Sequence, residues 1–239
     1  MLFSAPYACY FASYSNYPAT CRFFRSSYLT THYSLLKTLS SYAILPAAGR
    51  SVRMGAPKLL LPWHSGTILS AVLAAWRASR VDRVVAVVHS DDDEIAAICR
   101  AAGAQVVLPA DPPAEMKHSV ALGLAWIEDH LQPTPDSAWL LAPADMPDLS
   151  TAVIDALIAA HDSANDAAHS QIIVPVSGSR RGHPVLFPWS LAAAVPQLTP
   201  SEGVNALLAR MAVRELQVAP QSIPADINTP EDYARLHKR

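Results

Sequence analysis

The segment from Leu45 to Lys58, LPAAGRSVRMGAPK, constrains this chain more than any other. A short apolar run over residues 42–45 leads into it, and such runs bounded by Gly or Pro are typical of buried strands. The segment carries three cations, Arg50, Arg53 and Lys58, and no acidic residue. Its small residues expose backbone N–H groups, and the cations add donors that suit phosphate oxygens. We therefore expect a strand followed by a loop that binds a polyphosphate.

Two common phosphate-binding patterns do not describe this loop. The GxxxxGK[ST] pattern fails because Ala56 and Pro57 separate Gly55 from Lys58, and GxGxxG is absent. A solvated basic surface loop is the alternative that composition alone leaves open. The apolar run after the loop, residues 59–61, is predicted as a second strand.

Composition bounds the class of protein. The chain has 239 residues, 51% of them apolar, with a mean hydropathy of +0.17, which is enough for one sizeable α/β core. The net charge is −2 and no long basic run occurs, so nucleic acid is a poor candidate partner. No apolar stretch reaches the roughly 18 residues that a membrane span needs. The cysteines, Cys9, Cys21 and Cys99, have no metal-binding spacing, and a reducing cytoplasm is expected.

Strand and helix patterns alternate after residue 41, which predicts an α/β fold. The acidic run at residues 91–94 is interpreted as the charged first turn of a helix rather than as a metal site. The predicted strands are residues 42–45, 59–61, 84–88, 105–108, 139–141, 172–176, 183–187 and an edge strand at 213–218. The predicted helices follow residue 66, span 95–102 and 151–160, and begin near residues 118, 202 and 230.

Two acidic residues are candidates for a metal. Asp145 lies in ADMP after the strand at 139–141, and the carboxyl ends of parallel strands are where α/β sheets bind ligands. Asp226 lies in DINTPED, whose Thr229 and Pro230 are typical of a helix start. The alternative for Asp145 is that it is only a turn residue before Pro147. Ser119 lies at the start of a predicted helix, where a helix N-cap is its simplest interpretation.

Five motifs together resemble the MobA-like NTP transferases, nearest to the molybdenum cofactor cytidylyltransferases. They are AAGRSVRMGAPK from Ala47, HSVALGL from His118, ADMP from Ala144, RGHPVLF from Arg181 and DINTPED from Asp226. The resemblance covers about residues 42–239. It implies a Rossmann-like, three-layer α/β/α fold of the GT-A type with a mostly parallel central sheet.

The resemblance also implies roles for individual residues. Arg53 and Lys58 would be catalytic, and Asp145 and Asp226 would hold Mg²⁺. Arg181 and His183 would meet the acceptor, although Arg181 is equally a solvated hairpin residue. The nucleotide would be bound by Ala47, Ala48, Gly49, Ser51, Gly55 and Ser119. The sequence departs from the family pattern at Ala144, where Gly is usual, and at Asn228, where a second Asp is usual.

The reaction that the resemblance implies is transfer of CMP from CTP to the phosphate of molybdopterin, with release of pyrophosphate. A phosphomonoester is mostly dianionic at neutral pH, so the acceptor needs no general base. The partners would be CTP, a phosphorylated pterin, and a molybdenum hydroxylase or its chaperone. The alternatives are another phosphorylated acceptor such as a sugar or polyol phosphate, a GTP-using relative, or a non-catalytic carrier of the molybdenum cofactor.

Residues 1–40 differ from the remainder in composition. Seven of the eight Tyr and four of the five Phe precede position 43, and no periodic apolar pattern is present. An acid-poor, Ser-rich targeting peptide is one interpretation. We favour a disordered N-terminal extension over residues 1–40, followed by a nucleotidyltransferase domain over residues 41–239.

Overall fold

The computed structural model describes residues 39–51, 54–164 and 169–237. Residues 1–38 of the predicted N-terminal extension, and Arg53, therefore lie outside the described residues. The strands are β1 (Ser41–Ala47), β2 (Pro62–Trp63), β3 (Gly66–Thr67), β4 (Arg83–Val88), β5 (Gln105–Val107), β6 (Ala138–Leu141), β7 (Ile172–Ser177), β8 (Arg180–Arg181), β9 (Val185–Pro188) and β10 (Val213–Gln217). The helices are α1 (Ile68–Ala78), α2 (Asp93–Ala101), α3 (Met116–Leu131), α4 (Thr151–Asp162), α5 (Ala206–Arg210) and α6 (Pro230–His237).

Eight of the described strands form one mixed sheet in the order β10-β7-β9-β6-β1-β4-β5, with β8 paired to β7. β1 is parallel to both neighbours, so that Ile44 pairs with Val85 on β4 and with Leu141 on β6. β9 runs antiparallel to β6 and β7, and β10 is parallel to β7. The prediction of a mostly parallel sheet is confirmed, and β10 is an edge strand as predicted.

The sheet has a helical layer on each face because the side chains of β1 alternate between two cores. Leu45 packs with Trp76 of α1 and Ile154 of α4 on one face. Ile44 packs on the other face with Ile127 of α3. All five side chains are fully buried, and burying each one contributes on the order of 2 kcal/mol. The three-layer α/β/α architecture is thereby confirmed.

Several local predictions needed correction. Residues 58–60 form a single 3-10 turn, Lys58–Leu60, instead of a strand over residues 59–61, because Leu59 is drawn into the core. α3 begins at Met116, earlier than predicted, and Glu115 occupies its N-cap position. Ser119 therefore lies inside the helix, and its alternative assignment as an N-cap is wrong.

The ends of two other helices agree with their predicted chemistry. Asp93 and Glu94 lie in the first turn of α2, and Gly103 follows that helix with a φ of +81°. At α6 the Asp232 backbone N–H donates to the Thr229 hydroxyl, and the Thr229 N–H donates to the Asp232 carboxylate, both at 3.2 Å. This reciprocal cap fixes where the DINTPED segment enters α6.

The described residues give two further facts about class. None of their helices combines the length and apolar character needed to cross a membrane. Cys99 is a free, buried thiol whose pKa burial raises to about 11, so it stays protonated and fills the core.

Candidate active site

A crevice of about 330 Å³ opens at the carboxyl edge of the sheet, above the ends of β1 and β6. Parallel strands end together at this edge, and their loops leave a cleft between them. A volume of this size suits a small ligand. Six of the residues predicted as site residues line it: Ala48, Gly49, Ser51, Lys58, Ser119 and Asp145.

The loop after β1 turns sharply so that Lys58 reaches the crevice. Ser51 has a φ of +51° and Gly55 a φ of +63°, a left-handed conformation that glycine adopts without strain. The Ser51 carbonyl accepts from the Met54 N–H at 2.9 Å, and the Ser51 hydroxyl accepts from the Lys58 N–H at 3.3 Å. Ser51 therefore organises the described part of the loop as well as lining the crevice.

Lys58 and Asp145 form the principal ion pair of the crevice. Lys58 Nζ lies 2.5 Å from Asp145 Oδ2, and each side chain is 15% exposed. Asp145 Oδ1 is buried and has no hydrogen-bond partner. Because a buried carboxylate oxygen without a partner is costly, this atom is suited to accept a ligand.

Asp226 is held next to Asp145 through the backbone. The buried Ile227 donates its N–H to the Asp145 carbonyl at 3.0 Å, which brings the DINTPED segment against the end of β6. Asp226 is exposed and its carboxylate accepts a hydrogen bond from the Asn228 side chain, and Asn228 itself lines the crevice. The structure thus brings the two predicted metal-binding segments together.

A divalent metal such as Mg²⁺ in the crevice would need oxygen ligands from the protein. Asp145 and Asp226 supply hard carboxylate oxygens, which Mg²⁺ and Mn²⁺ prefer. No group of three or more His, Cys, Asp or Glu in metal-binding geometry occurs among the described residues. Two carboxylates fit a metal that takes the remainder of its shell from substrate phosphates and water, as Mg²⁺ commonly does.

The predicted acceptor residues are placed differently from each other. His183 is half-buried beside the end of β6, and its Nδ1 lies 3.3 Å from the Leu141 carbonyl. Burial lowers the pKa of His183, while the Leu141 carbonyl and the charges of Asp145 and Asp226 act in the opposite direction. These charges reach His183 because it lies next to the carboxylate segments.

Arg181 does not line the crevice. It lies on β8, where it forms an exposed ion pair with Glu215 of β10 at 3.2 Å. Two further predicted residues stand behind the crevice wall or beside it: Ala47 is buried within β1, and Gly55 lies in the loop away from the lining. Arg50, a third cation of the loop, contacts His89 Nε2 at 2.6 Å and Asp91 at 3.5 Å instead.

The sequence-based prediction missed Glu115 and Met116, and it missed the hydrogen bonds of the neighbouring Lys117. Glu115 and Met116 line the crevice at the start of α3. The buried Lys117 donates to the backbone carbonyls of Thr199, Pro200 and Glu202 at 2.7, 2.9 and 2.9 Å, and it pairs with Glu115 at 3.3 Å. This ammonium ties the first turn of α3 to residues 199–202 and so fixes one wall of the crevice. The sequence did carry a signal for this helix start. Glu115 precedes His118 by three residues, and these two side chains form the capping box that begins α3.

A mostly parallel sheet with a basic loop after its central strand and two carboxylates at its carboxyl edge is an arrangement suited to binding a nucleoside triphosphate. The chain belongs to the MobA-like NTP transferase family, whose domain matches residues 43–216. It is therefore a nucleotidyltransferase.

Known proteins resemble this chain in sequence and in structure. A probable molybdenum cofactor guanylyltransferase of Rhodopirellula baltica is 27% identical over 197 residues, covering 79% of this chain and 88% of the relative. The crystal structure of Rv0371c from Mycobacterium tuberculosis H37Rv is 28% identical, with a TM-score of 0.70 over 84% of this chain and 99% of that one. A complex of Rv0371c with manganese is 27% identical, with a TM-score of 0.66 over 83% of this chain and 98% of that one.

Proposed function

We propose that this protein transfers CMP from CTP to the phosphate of molybdopterin and releases pyrophosphate. The observation that carries the proposal is the Lys58–Asp145 pair at the mouth of the loop after β1, with an unpartnered Asp145 oxygen beside it. A cation and a metal-binding carboxylate at this separation suit a triphosphate that displaces their mutual contact. The name of the Rhodopirellula baltica relative supports a molybdenum cofactor acceptor.

The barrier to this reaction is electrostatic, because two polyanions must approach each other. Lys58 would donate to the triphosphate, and the backbone N–H groups near Gly49, which also lines the crevice, would add further donors. Arg53 would add a second cation from the same loop. Asp145 and Asp226 would hold Mg²⁺, which when bound neutralises phosphate charge and stabilises the charge that develops on transfer.

The acceptor would enter from the side of β9. The dianionic acceptor phosphate would favour the protonated ring of His183, whose Nε2–H would then donate to the phosphate while its Nδ1–H faces the Leu141 carbonyl. Arg181 would reach the same phosphate by leaving Glu215, an exposed partner to which it is weakly held. The acceptor oxygen attacks the α-phosphorus, its P–O bond forms, and the bond to the β-phosphate breaks.

The base proposed is cytosine because the loop carries Ala47-Ala48-Gly49 and has Pro57 before Lys58, the pattern of the cytidylyl relatives. Guanylyl transfer is the second candidate, and the name of the Rhodopirellula baltica relative favours it. We also propose that the enzyme works in the cytoplasm and hands its product to a molybdenum hydroxylase or that enzyme's chaperone.

Pyrophosphate release by the full chain tests both the reaction and the base. The assay contains Mg²⁺, molybdate-loaded molybdopterin and either CTP or GTP, and Lys58→Ala serves as the matched control. Release with CTP and not with GTP, lost in the variant, is the expected result. Release with GTP alone would replace cytosine by guanine, and no release with either nucleotide would overturn the proposed acceptor.

A further inference from the structure

Two imidazoles lie together where α4 ends and the chain approaches β7. His161 Nδ1 and His169 Nε2 are buried atoms without hydrogen-bond partners, and the two ring centroids are 5.1 Å apart. Asp162 Oδ1, on the residue after His161, is a third such atom. This location is the amino edge of the sheet, opposite the crevice, since β7 starts at Ile172 and both β7 and β6 run antiparallel to β9. Buried polar atoms in proteins are nearly always paired, so two neighbouring imidazoles without partners call for a ligand.

The tautomer of His161 follows from its one hydrogen bond. His161 is 2% exposed, and its Nε2 lies 3.0 Å from the Asp136 carbonyl. A carbonyl oxygen only accepts, so Nε2 carries the proton and Nδ1 presents a lone pair. Metal-bound histidines commonly show this arrangement, in which one ring nitrogen donates to a backbone carbonyl and the other binds the ion.

His169 stands at a separation that suits a shared ion. The two imidazole centroids are 5.1 Å apart and the rings are inclined by 51°. With metal–nitrogen bonds of about 2.1 Å at a tetrahedral angle, two imidazoles on one ion have centroids roughly 5 Å apart.

The carboxylate next to His161 is already paired with a cation. Asp162 Oδ2 pairs with Arg80 at 3.0 Å, so the carboxylate adds little net attraction for a cation. The described residues offer no set of three ligating side chains in metal-binding geometry. The site thus rests on two nitrogen donors, with water completing the shell.

We propose that His161 and His169 bind one borderline divalent transition metal ion, with Zn²⁺ as the representative ion. Imidazole nitrogens favour such ions over Mg²⁺, so this site and the carboxylate crevice would select different metals. The bound ion would join the end of α4 to the approach to β7. This inference is independent of the proposed function, because none of its residues belongs to the crevice.

Zn²⁺ titration of the metal-free, untagged full chain tests the site, with millimolar Mg²⁺ present to occupy the carboxylates. We expect one Zn²⁺ per chain, and at least a 10-fold loss of affinity in His169→Gln. His130→Gln is the matched control, because His130 is exposed and stacks on Trp126 elsewhere on the molecule. Zn²⁺ should also raise the melting temperature of the wild type and not that of His169→Gln.

Two results would overturn the site. One is unchanged Zn²⁺ affinity in His169→Gln, which would mean that the two imidazoles only share a proton. The other is loss of the bound Zn²⁺ in Asp145→Asn, which would locate the ion in the crevice. If the His161→Gln variant folds, its Zn²⁺ affinity repeats the test. If it does not fold, the Zn²⁺ affinity of His169→Gln alone decides whether the site exists.

Discussion

Two ion pairs connected with the candidate site differ in their surroundings. Lys58 and Asp145 are each 15% exposed and 2.5 Å apart, whereas Arg181 and Glu215 are 52% and 48% exposed and 3.2 Å apart. Charges attract more strongly where water is excluded, and exposed pairs contribute little to stability. The hairpin pair is therefore free to separate at little cost, whereas separating the crevice pair has a cost that a charged ligand contacting both partners would have to offset.

Replacing Lys58 should have the largest effect. In Lys58→Ala we expect kcat/KM for pyrophosphate release to fall by about 10²–10³-fold, because a preorganised donor to developing charge is removed. Arg50→Ala is the matched control, since Arg50 lies in the same loop but contacts His89 and Asp91. An unchanged turnover in Lys58→Ala would sink the catalytic assignment of this residue.

Substitutions in the segment that carries Asp226 should have the second largest effect. Asp226→Asn is expected to raise the Mg²⁺ or Mn²⁺ concentration for half-maximal activity by roughly 10-fold, because a charged ligand becomes neutral. Asn228→Asp adds a carboxylate to the crevice lining and should shift the same metal titration in the opposite direction. Equal metal requirements in wild type and Asp226→Asn would exclude Asp226 as a ligand.

Arg181 offers a smaller and more specific test. In Arg181→Ala the free energy of unfolding should change by less than about 1 kcal/mol, as expected for an exposed pair. The KM for the pterin acceptor should rise several-fold while kcat stays near the wild-type value. Glu215→Ala breaks the same ion pair but leaves the guanidinium available, so it should not raise this KM; a rise in both variants would assign the effect to the hairpin itself.

The smallest expected effect concerns pH and stability. Burial lowers the pKa of His183 below its ordinary value of 6.5, so the unfolded chain takes up a proton there before the folded protein does. The stability contributed by the neutral ring is present above pH 6.5 and is lost as the pH falls from there through the folded pKa. Chemical unfolding at about pH 7.5 and about pH 5.5 should therefore show a smaller loss in His183→Asn than in the wild type; equal losses would contradict the shift.

The sequence sufficed for the sheet and its helices because their signals are local and periodic. Tyr42 to Leu45 and Val84 to Val88 are apolar on both faces, as expected for central strands that are covered by helices on both sides of the sheet. The 3-10 turn at Lys58–Leu60 was not predicted, because the three consecutive leucines at residues 59–61 resemble a strand. Tertiary packing buries Leu59 in the core, and the local sequence does not indicate this.

The parts of the site that escaped prediction depend on distant contacts. The carbonyls that hold Lys117 are more than 80 residues away in the chain, so no spacing near Lys117 indicates them. Arg181 lies on β8 and its partner Glu215 on β10, and both of these strands pair with β7, so only the strand order reveals the contact.

The hydrogen bond from Ile227 to the Asp145 carbonyl has a consequence for how the protein is made. Residues 226–237 emerge from the ribosome after every strand of the main sheet, and α6 docks back onto the β2–β3 hairpin, where Tyr233 donates to the Pro62 carbonyl at 2.8 Å. A nascent chain that stops short of them holds all the strands but only one of the two carboxylates. Synthesis thus supplies the strands of the described sheet before it supplies the second carboxylate that we propose to bind the metal.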